Sequence, residues 1–486
     1  MGRGNLYPTK PYVVLIWLDC VAGDVFVDMY KRGRLQNLSE FFSEGVFIEN
    51  VVSCFPTVSE SVEGGVISGF FSGETNMVGE RYFSRKLQAV RHYKFNAKAK
   101  LDFNPRLRSR TIDAIVGRSV AMGRIIDTSG ENIVDLKALK YEREGSLKIV
   151  GRRIEVASKI VYEKRPRLLF FTISGDHVSH VYGRNGEAVK NLIKEFDKEF
   201  PVLADSLNNV YGEGKYLLFI FSDHGSANVS RHLDLPSLLS EHGFKPASTE
   251  LLVREDYIDS AALSNGRRMG LLYFAHPEYG WRRRPGYKVL RSYRFRGRNI
   301  DLLGLFAQQE GVEHVFAKYD QKSVIVVSKE GEGLIQYDPA SNRYKYSVLR
   351  GSDPLKYGLE PRWMSEEEWL KATLEHEYPD AVVQVYSMFK SRNCGDIVLN
   401  ASSSWDFWEP WDISYPGLKA AHGGLSRDEM MTFILAKVPG IKGAEVEYAR
   451  IIDIYATIAT CYNARDLMAG SHAVERIISP PKTSGG

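Results

Sequence analysis

"KYLLFIFSDHG" spans residues 215–225. Tyr216 to Phe221 are apolar without a break, and Ser222-Asp223-His224-Gly225 comes directly after. A short continuous apolar run reads as a strand buried on both faces, because a half-exposed strand would alternate polar and apolar residues. The flanks extend this reading. Upstream, "GEAVKNLIKEFDKEFPVLADSLNNVYGEG" (186–214) carries apolar residues at helical spacing. Before it, "PRLLFFTISGD" (166–176) repeats the buried-strand pattern, and "GSLKIVGRRIEVASKIVYEKR" (145–165) another helix. "YVVLIWLD" (12–19), "LQNLSEFFSEGV" (35–46) and "VFIENVVSCF" (46–55) continue the alternation toward the N-terminus, and "EMMTFILAKVPG" (429–440) and "IIDIYATIATCYN" (451–463) toward the C-terminus.

Alternating buried strands and amphipathic helices specify an α/β fold with a largely parallel central sheet flanked by helices. The stretch between about Tyr257 and Trp411 reads differently. "HVFAKYDQKSVIVVSKEGEGLIQYDPASNRYKYSV" (314–348) alternates polar and apolar residues between turn signals, the pattern of an antiparallel meander. The expected organisation is a discontinuous core over 1–256 and 412–478, an inserted smaller α+β cap region over 257–411, and a disordered tail at 479–486.

The chain has 486 residues, 44% hydrophobic and 26% charged, with a formal net charge of +4. This is the composition of a soluble globular protein. No apolar run approaches the roughly 20 residues of a membrane-spanning helix. The N-terminus lacks a signal peptide's long apolar region, so a cytoplasmic location is expected. Cys20, Cys54, Cys394 and Cys461 show no metal-ribbon spacing. Two stretches, 81–110 and 281–298, interleave Arg and Lys with aromatics. They read as solvated basic faces or as a funnel for a phosphorylated substrate. The sequence offers no motif for binding nucleic acid.

Three predicted core strands end in an aspartate: Asp19, Asp176 and Asp223. His180 and His224 come after two of them, and His422 precedes a late strand. Any one strand-end Asp is more often a turn or helix cap. Four segments that each bring an Asp or His to one sheet edge are a ligand set, since both residue types bind zinc at roughly 2.0–2.2 Å. Six donors exceed one tetrahedral ion and suit two, an arrangement that recurs in phosphate-ester chemistry. Asp176 and His180, four apart, share a face over one helical turn or in a tight loop. Asp223 and His224 would point apart in an extended chain and serve two ions, or meet one ion across a turn.

"CFPTVSES" (54–61) adds three hydroxyls between a strand and a glycine pair. At this point the chain resembles the alkaline phosphatase superfamily, in its branch of type I phosphodiesterases and nucleotide pyrophosphatases. The resemblance is carried, in the family's order, by "VVLIWLDCVAGD" (13–24), the segment 35–85, "SGDHVSHVYG" (174–183), "IFSDHGSANVSRHLDL" (220–235) and "HGGLSRDEM" (422–430). It implies one metal site of Asp176, His180 and His422 and a second of Asp19, Asp223 and His224. It also implies that Ser59 is the nucleophile, forming a phospho-enzyme that water then hydrolyses, with Thr57 and Ser61 as turn and helix-start residues. The implied cofactors are two divalent ions, with zinc favoured by three imidazoles and manganese or iron also fitting. The implied substrate is a phosphorylated small molecule of nucleotide-like chemistry.

Four positions depart from the family pattern. Cys20 replaces the glycine after the first Asp, Thr75 replaces a His, and Ser179 precedes His180 in place of Gly. Glu80 stands where nucleotide pyrophosphatases resemble one another in an Asn that donates to a phosphate oxygen. An ionised Glu80 cannot donate. It would bind a metal, position a water, or orient Arg81, which would then grip phosphate bidentately. The alternatives to a phosphodiesterase are a phosphomonoesterase or phosphonate hydrolase on the same scaffold, or an inactive metal-binding module. Of the remaining histidines, His177 and His232 are the ones expected to line the site.

Overall fold

The computed structural model describes residues 10–93, 102–123, 131–247, 258–409 and 417–478. The expected tail at 479–486, and both expected boundaries of the cap, lie outside the described residues.

The strand Tyr12–Asp19 lies at the middle of the fold, parallel to Leu168–Ser174 on one side and to Tyr216–Phe221 on the other. All of Leu168–Ser174 and Tyr216–Phe221 is buried, as continuous apolar runs in a doubly covered sheet require. Ser119–Met122 and Glu131–Ile133 extend the parallel array beyond Leu168–Ser174. On the other side, Met431–Lys437 pairs antiparallel with Tyr216–Phe221, and Val46–Val52 pairs antiparallel with Met431–Lys437. One reversed strand thus sits within an otherwise parallel eight-stranded sheet. The largely parallel sheet read from the sequence is present.

Helices cover both faces. Glu187–Tyr211 buries Val189, Leu192, Ile193, Phe196, Phe200, Leu203 and Leu207, a stripe at three- and four-residue spacing. It packs with Lys148–Lys164 against the face formed by Val14, Ile16, Leu169 and Phe171. The opposite face, with Leu15, Trp17 and Phe170, receives the helices Ser59–Ser68 and Asp453–Cys461.

Residues 258–401, together with the edge strand Pro246–Ala247 from before the expected cap, form a second eight-stranded sheet, as many strands as the core sheet. It contains the expected meander, Val312–Lys318, Ser323–Val327, Gly331–Asp338 and Arg343–Gly351, paired antiparallel in sequence. Leu263, Leu271, Phe316 and Val326 of this sheet share one apolar cluster with Leu15 and Trp17 of the first. The strand Ala227–Asp234 ties the two together through Ser404–Trp408 and Ala420–Ala421. No helix among the described residues is long and apolar enough to cross a membrane.

Candidate metal centre and catalytic site

The sheet topology explains why distant residues meet. Asp19 ends its strand, Asp176 lies two residues past Ser174, and Asp223 two past Phe221, all at the carboxyl edge of parallel strands. Met431–Lys437 runs the other way, so the segment that precedes it, beginning at His422, arrives at the same edge. Val46–Val52 is reversed once more, so its carboxyl end delivers Thr57 and Ser59 there as well. In an open α/β sheet this edge is where ligands bind.

Two groups of potential ligands form. Asp176, His180 and His422 make one, and Asp19, Asp223 and His224 the other; within each group the donor atoms lie within 4.8 Å of one another. Asp176 and His180 occupy one turn of the helix Asp176–Tyr182, with His180 Nε2 2.9 Å from Asp176 Oδ1. His422 Nε2 is 3.3 Å from the same oxygen. In the second group the strand has ended at Phe221, and the turn beyond it puts Asp223 and His224 in one cluster, with His224 Nε2 3.0 Å from Asp223 Oδ2. The alternative in which these two neighbours serve separate ions is therefore not the arrangement adopted. The His224 and His422 rings stack at 4.2 Å, so the groups adjoin.

All three imidazoles are oriented alike. His180 Nδ1 donates to Ala420 O (2.6 Å), His224 Nδ1 to Gly225 O (2.9 Å) and His422 Nδ1 to Thr57 O (2.8 Å). A backbone carbonyl can only accept, so each Nδ1 carries a proton and Nε2 is the nitrogen turned toward the cluster. His224 Nε2 is fully buried and makes no hydrogen bond among the described residues. A buried lone pair among carboxylates fits a cation, and this donor set of imidazole nitrogens and carboxylate oxygens suits zinc, manganese or iron.

The electrostatics agree. Burial works to raise the Asp176 pKa, but His180 and His422 outweigh it and hold the carboxyl well below the usual carboxylate range. His422 is opposed by burial and driven the other way by Asp176 and Glu80, up to about 10. Asp223 is likewise held down against burial, by His224 and by the Cys20 backbone N–H at 2.9 Å.

The loop around His422 is fixed from several directions. Thr57 Oγ1 accepts from Gly423 N–H (2.9 Å) and donates to Gly424 O (2.8 Å). Glu429 accepts from Gly424 N–H (2.7 Å) and pairs with the buried Arg268 (3.0 Å). Gly266, at φ +57°, lies so close that a Cβ there would sit 2.6 Å from His422 Nδ1. Only glycine combines that backbone conformation with that approach.

Ser59 is the first residue of the helix Ser59–Ser68. Its Oγ lies 3.1 Å from Asp223 Oδ2 and 3.3 Å from Asp19 Oδ1, inside the second group. The other two hydroxyls of "CFPTVSES" are engaged elsewhere: Thr57 in the His422 loop, and Ser61 donating to Met77 O at 2.6 Å. Glu60, which has no evident role in the sequence, is buried and lines the cavity beside Ser59.

A cavity of about 330 Å³ opens over both groups. Glu80 lines it, close enough to His422 to raise its pKa. Arg81 lines it too, but its Nε and Nη2 donate to Ser264 O (3.2 and 2.9 Å), and Nη2 also pairs with Glu409 (2.7 Å). The edge of the guanidinium that a bidentate phosphate grip requires is thus spent on anchoring the hairpin Arg81–Ser84/Ala89–His92 to the second sheet.

His177 and His232 do not line the cavity; His92 does. His177 packs against Gly145, and His232 Nδ1 pairs with the buried Asp406 at 2.7 Å. Arg267, Arg153, Glu142 and Thr172 also line the cavity and were not singled out by sequence reading. Asp406 holds Arg267 at 2.9 Å, a contact no local pattern announces. Cys20 adopts φ +57°, which accounts for the glycine usual at that position.

Comparison with known proteins agrees with this geometry. The sequence model of the type I phosphodiesterase / nucleotide pyrophosphatase family matches residues 13–424. No curated protein matches the chain in sequence. Among solved structures, an inactive form of murine ectonucleotide pyrophosphatase / phosphodiesterase 5 in complex with AMP is similar, with a TM-score of 0.56 at 14% identity, over 94% of this chain and 95% of that one. The human counterpart gives 0.55 at 13% identity, over 93% and 95%. At such identities the likeness is one of fold.

Proposed function

Since this chain belongs to the type I phosphodiesterase / nucleotide pyrophosphatase family and is a phosphoester hydrolase, we propose that it cleaves a nucleotide-like phosphodiester or pyrophosphate with Ser59 as nucleophile and two divalent cations as cofactors. Asp176, His180 and His422 would hold one cation, and Asp19, Asp223 and His224 the other. Bound there, such cations supply Lewis-acid charge that acidifies a hydroxyl and offsets charge developing on phosphoryl oxygens.

The observation that carries this reading is the position of Ser59 Oγ, 3.1 Å from Asp223 and 3.3 Å from Asp19, within one of the two groups. As Ser59 Oγ forms its bond to phosphorus, the bond from phosphorus to the leaving oxygen breaks, and the Ser59 proton passes toward Asp223 Oδ2. The first-turn N–H groups of the helix Ser59–Ser68 favour the anionic phosphoryl group. Water then hydrolyses the seryl phosphoester. Thr57 and Ala420 keep His422 and His180 in the orientation described. The AMP bound by the murine relative supports a nucleotide-like substrate.

Ser59→Ala is expected to lower turnover of bis(p-nitrophenyl) phosphate by about 10⁴-fold or more while metal content persists. Full activity in Ser59→Ala, with loss in Thr57→Ala, would move the nucleophile. Faster turnover of p-nitrophenyl phosphate than of the diester would replace the diesterase reading with a monoesterase.

A further inference from the structure

The cavity has a second polar end that the proposed chemistry does not use. Trp17 and Thr172 face each other in register two residues before Asp19 and Ser174. At about 3.3 Å per residue they lie about 7 Å from the carboxyl edge. Beside them is Arg153, from the helix Lys148–Lys164, only 3% exposed and lining the same cavity.

Arg153 is poorly matched for so buried a charge. Its one ion-pair neighbour among the described residues is Glu142, at 4.0 Å, and its Nε has no hydrogen-bond partner among them. The nearby Thr172 Oγ1 is also buried without a partner among them. Burial pulls the guanidinium pKa down, and Glu142 and Asp135 offset it only in part. A buried guanidinium so loosely paired favours a further anion within hydrogen-bond reach. The cavity reaches them: Gly123 lines it together with Arg153 and Thr172, and a Cβ on Gly123 would crowd both, standing 3.3 Å from Arg153 Nη2 and 3.3 Å from Thr172 Cβ.

We propose that Arg153 and Thr172, at the end of the cavity lined by Gly123, form an anion subsite, which holds a second negatively charged group of the substrate while the scissile phosphate lies at Ser59. The substrate class is then a phosphodiester that carries a further phosphate or carboxylate a few bonds from the reacting phosphorus. This inference rests on the phosphodiester reading of the site. Arg153 acts on specificity and takes no part in bond making.

The test uses three p-nitrophenyl diesters: the thymidine 5′-phosphate ester, the same ester with a 3′-phosphate, and the same ester with a 3′-O-carboxymethyl group. The wild-type enzyme is expected to show a KM about tenfold lower for the 3′-phosphate ester than for the parent, the scale of one charge-assisted contact. Preference for the carboxymethyl ester instead would identify a carboxylate as the second group. In Arg153→Gln the ratio of KM values should fall to about one, and Arg153→Lys should restore part of it. A ratio unchanged in Arg153→Gln, or no preference in the wild type, overturns the subsite. Calorimetric binding of the same esters to the metal-loaded Ser59→Ala protein reads the subsite without turnover. If the wild type cleaves none of the esters yet Arg153-dependent binding persists, the proposed function falls and the subsite stands.

Discussion

Two places in this molecule bury histidine among carboxylates, at opposite ends of the helix Ser59–Ser68, and they differ in one respect. His472 stacks on Phe71 at 4.4 Å and has a carboxylate at each ring nitrogen: Glu366 2.9 Å from Nδ1, and Glu74 3.2 Å from Nε2. Lys390 neutralises Glu74 at 2.6 Å, and Arg450 lies 3.4 Å from Glu366 while forking onto Asp380 with two 2.8 Å bonds. Here the carboxylates Glu74, Glu366 and Asp380 meet the cations His472, Lys390 and Arg450. At the carboxyl edge of the core sheet, each imidazole spends Nδ1 on a backbone carbonyl and turns Nε2 toward Asp176 or Asp223. The pKa does not separate the two places, since His422 is pushed to about 10 and His472 to about 9. The partner of Nδ1 does: it is the carboxylate of Glu366 at His472 and a backbone carbonyl at His180, His224 and His422. In the His472 cluster three carboxylates meet three cations as folded, whereas the other site is one that added positive charge would complete.

Substitutions should therefore act on different observables. Asp176→Asn is expected to cost about 10³-fold in turnover and to lower metal content, the loss of a group that stabilises charge at the reacting centre. His472→Ala should leave metal content alone and cost about 3 kcal/mol of unfolding free energy, measured in urea, because it removes the cation that two largely buried carboxylates share and leaves each with one cationic neighbour, Lys390 or Arg450. Metal loss in His472→Ala, or a stability loss of that size in Asp176→Asn with metal retained, would erase the distinction.

The pH dependence sharpens it. Burial opposes the charge on His472, but Glu74 and Glu366 raise its pKa from 6.5 to about 9. Its stabilising contribution is complete below about 6.5 and is lost as pH rises through about 9. Burial would raise Glu74 and Glu366, but His472 outweighs it, with Lys390 at Glu74 and Arg450 at Glu366, and lowers both from 4.5 to about 2. Their contribution is complete above about 4.5 and is lost as pH falls toward about 2. The cluster's contribution is thus greatest between about 4.5 and 6.5, and the decline above 6.5 should be smaller in His472→Gln, as read by thermal melting across pH.

The smallest effect is expected at Thr57→Val. It removes the hydroxyl that bridges Gly423 and Gly424 and so loosens the loop holding His422. Metal affinity should fall about tenfold in a chelator competition, the usual scale for a group that orients a ligand. An unchanged affinity would mean that the Thr57 backbone carbonyl suffices.

Much of this was legible in the sequence because sheet edges collect strand ends. Continuous apolar runs ending in Asp19, Asp176 and Asp223 indicate buried parallel strands with carboxylates at one edge. His422 precedes its strand and reaches this edge only because that strand is reversed, a direction that the apolar pattern does not show and that the family resemblance supplied. Contacts between side chains far apart in sequence were not legible. Arg81 reads as a free phosphate ligand until Glu409 is seen beside it, 328 residues on. Arg153 is one cation among many on an amphipathic helix, and its significance depends on where that helix passes Gly123 and Thr172. His177 and His232 sit beside candidate ligand segments in sequence, yet their side chains turn to Gly145 and Asp406.

The carboxyl-edge clusters are thus proposed to be cation sites, and the His472 cluster is not. Elemental analysis of the purified chain, alongside Asp176→Asn and His472→Gln, tests it most directly. About two divalent ions per chain are expected in the wild type and in His472→Gln, and about one in Asp176→Asn. One ion or none in the wild type, or a count that falls with His472 and not with Asp176, would contradict it.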